Sequence, residues 1–307
     1  MKNIVSDFLK KYEIKDATIV VGFSTGPDSC ALACLLDELK QEFNLKIVLA
    51  YFNHGWRKEA QDEEKFCAQF AKEKNIDYEI GKINPNAPKT EENARIERYE
   101  FFNQISKKYN SSYVFLAHNK NDNVETLIYR IIKGTSIKGL TSIPEKRDIF
   151  YRPLLLVEKS EILSYLEKIN QKYMIDSSND DTKYKRNLIR KEILPLFKKI
   201  NPKYVNSINN LILGAIEQRK IIEKEIKKIE EEIFVGDKID YYKYIELDFE
   251  IRLEILNNFI GKYLKYRDRK NLIKYDDFIL NNLHSKTSLN KELFLRTRWK
   301  KIFIEKG

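Results

Sequence analysis

A chain of 307 residues, 42% of them hydrophobic, can bury its own core and has room for one large domain with one or two smaller ones. Its three cysteines, Cys30, Cys34 and Cys67, are odd in number and lie in helix-like stretches, which argues against a disulfide scaffold and for a reducing, cytoplasmic setting. No apolar run approaches the roughly 20 residues of a membrane helix, the opening MKNIVSDFLKKYEIKD lacks the apolar core of a secretory signal, and the net charge of +10 suits a polyanionic partner as well as it suits plain lysine-covered faces.

Roughly the first 200 residues alternate β-rich runs with amphipathic ones, the pattern of βαβ units. ATIVVGFS (17–24), KIVLAYFNH (46–54), DYEIGKI (77–83) and YVFLAHN (113–119) read as strands, mostly apolar as expected of a sheet covered on both faces. Helices fall between them, with Leu32, Leu35, Leu36, Leu39 and Phe43 at helical spacing and similar stripes over 59–75, 91–109 and 121–133. The expected fold is therefore a doubly wound α/β domain with a mainly parallel sheet. Segments 158–171 and 185–200 read as helices on either side of the loop MIDSSNDDTKY, and Asn201-Pro202 interrupts the pattern. A charged helix over about 203–233 reads as a connector. The remainder has two short helical stretches and ends in ELFLRTRWKKIFIEK, a terminal strand or hairpin. The expected domains are 1–202, catalytic; 203–235, connector; and 236–307, a smaller, largely helical C-terminal domain.

The run FSTGPDS joins the first strand to the first helix, where a doubly wound fold leaves a crevice at the carboxyl edge of its sheet. A tight turn before a helix aims backbone N–H groups outward, and the helix N-terminus adds partial positive charge, so phosphate oxygens can bind without a lysine. Ser24 and Ser29 add hydroxyls, Pro27 suits the first helical turn, and Asp28 suggests a magnesium ion or a bond to the loop. Neither a Walker loop nor a dinucleotide fingerprint is present. Instead the run resembles the Ser-Gly-Gly-x-Asp-Ser loop of the N-type ATP pyrophosphatases, or PP-loop enzymes, which cleave ATP between its α and β phosphates and adenylate a substrate. Thr25 stands where that family usually has its first glycine. A left-handed backbone there would cost a β-branched residue about 1–2 kcal/mol.

Two of the three histidines, His54 and His118, end predicted strands on the edge that carries the loop. After His118, Asp122 and Glu125 are three apart and share a helix face, with Arg130 and Lys133 further along. Acids in a first helical turn also serve the helix dipole, and Arg95 and Arg98 would equally fit a solvated face.

Taken in order, STGPDS, FNHGWR, EENARIERYEFF, AHNKNDNVET, RIIKGTSIKGL, YRPLL, DSSNDDTKYKRNLIRKEILP and INP resemble the series found in the tRNA(Ile)-lysidine synthetase family, over about residues 15–202. Asn121 replaces the first of two aspartates common there; the second, Asp122, is present. The resemblance implies an ATP- and Mg²⁺-dependent ligase. It adenylates the C2 oxygen of the wobble cytidine in the CAU anticodon of tRNA(Ile), and the ε-amino group of free L-lysine then displaces AMP to leave lysidine. It further implies Ser24, Thr25, Gly26, Pro27, Asp28, Ser29 and His54 for ATP, with Asp28 at magnesium. Asp122, His118 and Arg95 would be catalytic, and Glu125 with Asp122 would bind lysine. Arg98, Arg130, Lys133, Arg186 and Arg190 would contact tRNA, aided by Lys191, Arg296, Arg298, Lys300 and Lys301. The roles of Asp122 and Glu125 could be exchanged, and a homodimer is a further candidate assembly. A lysine amine is protonated at neutral pH, its reactive form about 4–5 kcal/mol uphill, so a base must stand near. The rival readings are a tRNA thiolase on the same loop, disfavoured because no Cys-x-x-Cys occurs; a non-catalytic RNA-binding module, which leaves the loop unexplained; and a small-molecule amidotransferase, for which no glutaminase nucleophile is in view.

Overall fold

The computed structural model describes residues 1–55, 60–86, 88, 90–175, 185–264 and 268–307. Trp56 and Arg57 of the FNHGWR run, and residues 176–184 of the acidic loop, lie outside the described residues. The chain divides into two compact units, Met1–Ala215 and Ile216–Gly307. No helix among the described residues is long and apolar enough to cross a membrane.

In the first unit, α1 (Lys2–Lys11) precedes β1 (Ala17–Gly22), α2 (Pro27–Leu39), β2 (Leu45–Asn53), α3 (Ala60–Lys74), β3 (Asp77–Lys82), α4 (Glu91–Lys108), β4 (Tyr113–Leu116) and α5 (Lys120–Ile132). A short α6 (Ile137–Leu140) and the two-residue strands β5 (Lys146–Arg147) and β6 (Phe150–Tyr151) lead to α7 (Lys159–Lys168). The sheet order is β3-β2-β1-β4-β6-β5, parallel throughout except for β5 against β6. Ile19 and Val21 of β1 pack on one face with α1, α2, α3 and α7, while Val20 packs on the other with Phe102 and Ile105 of α4. Alternate side chains buried on opposite faces explain why the strand reads as an unbroken apolar run.

The segment from 185 to 200, which reads as one helix, is instead α8 (Lys185–Leu188), a π-helical turn over Ile189–Ile193 and α9 (Leu194–Ile200). Pro195 sits in the first turn of α9, where its missing N–H costs nothing, and the wider π turn absorbs the mismatch upstream. α10 (Tyr204–Ile233) follows as one 30-residue helix, and the division between the two units falls within it.

The second unit adds β7 (Phe234–Val235), β8 (Lys238–Asp240), α11 (Tyr241–Ile245), α12 (Phe249–Gly261), α13 (Arg269–Asn281), β9 (Lys286–Ser288), β10 (Leu293–Arg298) and β11 (Lys301–Lys306). The strands form an antiparallel sheet, β7-β8-β11-β10-β9, whose Ile239, Leu295 and Ile302 pack with Ile255, Phe259 and Ile279 of the helices. The sequence reading anticipates only its last hairpin, because strands of two or three residues carry no periodicity. Asp276 is fully buried and accepts hydrogen bonds from Tyr244 and from the Arg252 guanidinium, which satisfies its charge inside this core.

Two details of the first unit shape the turn after β1. A Cβ on Gly22 would lie 2.7 Å from Leu116 Cδ2, so only glycine lets β1 end this close to the β4 side chains. Thr25, 1% exposed, has φ of +60°, the left-handed conformation that side chains disfavour. Its hydroxyl donates to Ser24 O at 2.6 Å, and its own carbonyl accepts from Met174 N at 2.9 Å, which hold the residue there. Thr25→Gly should therefore melt above Thr25→Ala, by about 1 kcal/mol, the reverse of the order at ordinary helix or strand positions. Thermal unfolding of the two variants side by side checks the sign.

Candidate active site

A cavity of about 810 Å³ opens at the carboxyl ends of β1, β2 and β4, where the strand order reverses. Residues 24–29, His54, Arg98, His118, Asp122, Glu125 and Arg190 all line it. Positions scattered over more than 160 residues of sequence thus share one cleft because each follows the end of a parallel strand or faces it from a packed helix.

The turn itself is built around Ser29. Its Oγ accepts from Ser24 N at 3.1 Å and donates to Gly26 O at 3.0 Å, and Ser24 Oγ lies 3.3 Å away. Gly26 is the extended N-cap of α2 and Pro27 enters its first turn. Among the described residues, the amides of Thr25, Gly26, Asp28 and Ser29 have no protein acceptor, so a ring of donors at a helix N-terminus faces the cavity. Asp28 is held by Lys159 Nζ at 2.7 and 2.8 Å and by Asn119 Nδ2 at 3.0 Å. This is the bond that ties the loop down, and it leaves the carboxylate 28% exposed to the cleft. Lys159 lies 131 positions from Asp28 and carries no local sequence signal of its part in the site.

Opposite the loop stands a carboxylate pair. Asn119 and Asp122 form a reciprocal capping box at the start of α5, Asp122 N donating to Asn119 Oδ1 and Asn119 N to Asp122 Oδ2, both at 3.0 Å. The first-turn acid thus serves the helix and still presents its other oxygen to the cavity. Burial, with Glu125 and Asp28 nearby, pushes the Asp122 carboxyl up to about 7, against the Asn119 amide and the Arg190 charge that favour its ionised form. Glu125 differs. Both its oxygens are taken by Arg190 Nε and Nη2 at 2.7 and 2.8 Å, a bidentate pair, while Arg190 lies 3.7 Å from Asp122. Glu125, expected to receive lysine, is thereby occupied, and Arg190, expected at tRNA, is turned inward by its π-helical segment toward α5.

His118 faces a different field. Burial and then the charges of Arg152, Arg98, Arg186 and Arg95 pull its imidazole down to about 3, so it is neutral at physiological pH. Its Nδ1 is buried with no hydrogen-bond partner among the described residues. His54 lines the cavity with its ring edge-on to Phe52, centroids 5.1 Å apart. Arg95, on the exposed side of α4, packs over Tyr99 at 5.7 Å and acts on His118 only through its charge. Arg186 is exposed and contributes to the same field.

Two expected tRNA contacts stand apart from the cavity. Arg130 donates to Gly139 O at 3.0 Å and Ser142 O at 2.8 Å, which folds the segment after α5 back onto that helix. Lys133 is exposed with its ammonium 4.8 Å over the Tyr129 ring. Arg152, the arginine of YRPLL, has no role in the sequence reading. It is 3% exposed, donates to Pro144 O at 2.8 Å and is the largest charge effect on His118. A lone arginine inside an apolar strand-end run was the signal for it. All three cysteines are buried, with thiols pushed upward by burial, Cys34 to about 11 and Cys67 to about 12, so none supplies a ready thiolate.

Comparison with known proteins agrees with this geometry. The PP-loop domain family matches residues 1–197. A tRNA(Ile)-lysidine synthase of Clostridium tetani is 36% identical over 222 residues, 69% of this chain and 48% of that protein. One from Thermotoga maritima is 32% identical, with coverage of 81% and 62%, and one from Thermosipho africanus is 31% identical, with 89% and 68%. The chain thus spans about half to two thirds of the length of these curated relatives. Among solved structures, the U34-tRNA thiolase of Methanococcus maripaludis with its 4Fe-4S cluster shares the fold, with a TM-score of 0.59 at 19% identity over 71% of this chain and 76% of that one. A PP-loop match over most of the first unit, and lysidine synthases aligned along as much as 89% of the chain, lead to one assignment: the chain belongs to the PP-loop domain family and, within it, to the tRNA(Ile)-lysidine synthase family.

Proposed function

We propose that the cleft carries out lysidine synthesis, adenylating the C2 oxygen of the wobble cytidine in a CAU anticodon of tRNA(Ile) and then joining free L-lysine to that carbon. The observation that carries this reading is a single cavity lined both by an anion-binding turn and by a carboxyl whose pKa sits near neutrality. In the first step the cytidine oxygen attacks the α-phosphorus of ATP, and the bond to the β-phosphate breaks. The amides and hydroxyls of residues 24–29 hold the departing pyrophosphate charge. A magnesium ion would be carried mainly by the phosphates, whose charge it would neutralise, and would reach Asp28 only on the part of its carboxylate that the bonds to Lys159 and Asn119 leave open to the cleft. His118, neutral and aimed by its strand end, serves as a hydrogen-bonding partner for a phosphate oxygen rather than as a cation; the positive charge comes from the arginines around it.

In the second step the neutral ε-amine attacks C2, the carbon–oxygen bond to AMP breaks, and the amine proton passes to a base. Asp122 fits that role because its carboxylate oxygen faces the cleft and its pKa is matched to neutral pH, whereas Glu125 is committed to Arg190. The Glu125–Arg190 pair then positions the guanidinium beside Asp122, and Asp122 receives the lysine. Arg98 and Arg186 give the cleft mouth its attraction for RNA phosphates, and residues 236–307 form a further tRNA-binding domain. The thiolase reading loses its sulfur carrier, since every cysteine of the chain is buried and protonated.

The protein given ATP, Mg²⁺, lysine and the matching tRNA transcript should release AMP and pyrophosphate and attach labelled lysine to the RNA. Lysine-independent AMP release without labelled RNA would overturn the assignment. Because the base must be ionised and its pKa is raised, lysine transfer should climb with pH and bend near about 7; single-turnover rates across about pH 5.5–9 read that limb. Asp122→Asn should remove the bend and slow transfer about 10²–10⁴-fold while ATP affinity, measured by equilibrium binding, stays within about threefold.

A further inference from the structure

The second unit carries an aromatic and basic tip that its own fold does not need. β10 and β11 pair with Arg298 opposite Lys301, so Trp299 and Lys300 alone make the turn, with φ of +52° and +58°. Both central residues are left-handed, the geometry of a type I′ hairpin turn, which asparagine and glycine fill without strain. Tryptophan and lysine are strained there, and burial does not compensate, because Trp299 is 65% exposed. The turn is nevertheless pinned. Lys300 O accepts from Tyr241 N at 2.9 Å, and Lys301 Nζ pairs at 2.8 Å with Asp240, whose carboxylate also caps α11. The Arg298 guanidinium lies 4.1 Å from the Trp299 ring centre, and Lys300 Nζ lies 5.4 Å from that of Tyr242, itself 46% exposed. Among the described residues neither Arg298 nor Lys300 has an acidic partner, and Asp240 is paired with Lys301.

We infer that this tip is a docking site for an unpaired nucleotide of RNA, the base stacking on Trp299 and the flanking phosphates meeting Arg298 and Lys300. An exposed, rigidly held indole offers a face to any base, and cations on both sides of it complement the backbone on each side of that base. Two features single out RNA among possible occupants: the uncompensated positive charge of the tip, and the net +10 of the chain. The site is made of residues of the second unit and rests on the proposed use of tRNA only for the identity of the RNA.

The chain has two tryptophans, Trp56 and Trp299, so a full-length Trp56→Phe variant reports on the tip through its fluorescence. The tRNA transcript, and a short single-stranded oligouridylate at higher concentration, should quench that emission saturably. Trp299→Gly removes the ring and also relieves the strained turn, so its melting temperature should not fall, while its dissociation constant for tRNA should rise about 5–100-fold. Trp299→Phe should recover most of the affinity. In lysine-transfer assays Trp299→Gly should raise the KM for tRNA and spare kcat at saturation. Unchanged tRNA affinity in a folded Trp299→Gly, or an emission that ignores RNA and shifts only with the protein's own concentration, would overturn the inference, the latter marking self-association. Quenching by tRNA in a chain that attaches no lysine would sink the catalytic reading and leave this one standing.

Discussion

The site in the first unit depends on one constraint, the turn between β1 and α2, whose Thr25 and Gly26 amides have no protein acceptor among the described residues and whose neighbour Asp28 is neutralised by Lys159. The fold builds it by ending β1 at Gly22 and starting α2 at Pro27, which leaves four residues to turn the chain and aim its amides outward. A turn so short cannot keep every residue in a comfortable conformation. Thr25 carries the strain, and the structure retains it through the Met174 amide, the Ser24 carbonyl and burial of the side chain. Asp28, bound to Lys159 and Asn119, fastens the start of α2 to α7 and to the N-cap of α5.

The sheet was readable because its strands are long, apolar and separated by striped helices, and because a parallel sheet buried on both faces forbids polar alternation. The same reasoning placed the turn, both histidines and Asp122 on one edge, since position at the end of a strand is a property of sequence order. What could not be read is which side chains answer one another across the cleft. Lys159 and Asp28 meet only because α7 packs on α2, and Arg190 reaches Glu125 only because the helix after residue 185 widens into a π turn. Pro195 at the end of RNLIRKEILP signals an interruption of the helix but not the π turn that takes it up. Short strands such as β5, β6, β7 and β8 were invisible for the opposite reason: two or three residues hold too little pattern, and their pairing is decided by partners distant in the chain.

Arginines were the residue type most apt to mislead. Read along a helix, Arg95, Arg98, Arg130, Arg186 and Arg190 look alike, five cations suited to phosphates. In three dimensions one ties a loop, one is bound by a buried glutamate, and three remain to shape the field at His118 together with Arg152. Guanidinium groups make this diversity possible, because a planar fork can satisfy carbonyls and carboxylates as well as it attracts RNA. Positive charge in the sequence therefore leaves the role of each residue to packing.

The cleft imposes opposite protonation preferences on its two sides. Near β4 burial, and then the charges of the surrounding arginines, make an imidazolium expensive, so His118 stays neutral. Near α5 burial first, and then the charges of Glu125 and Asp28, push the Asp122 carboxyl up to about 7, while Arg190 is taken mainly by Glu125. The proposed reaction, which first expels pyrophosphate and then takes a proton from an amine, would use this separation, since a single uniform field would favour one step by opposing the other. Asn121, at the position where the resemblance implies a further aspartate, fits the same logic. Its Oδ1 accepts from Lys159 N at 3.0 Å, a neutral bond that anchors α7 and adds no charge to a cluster already poised at neutrality.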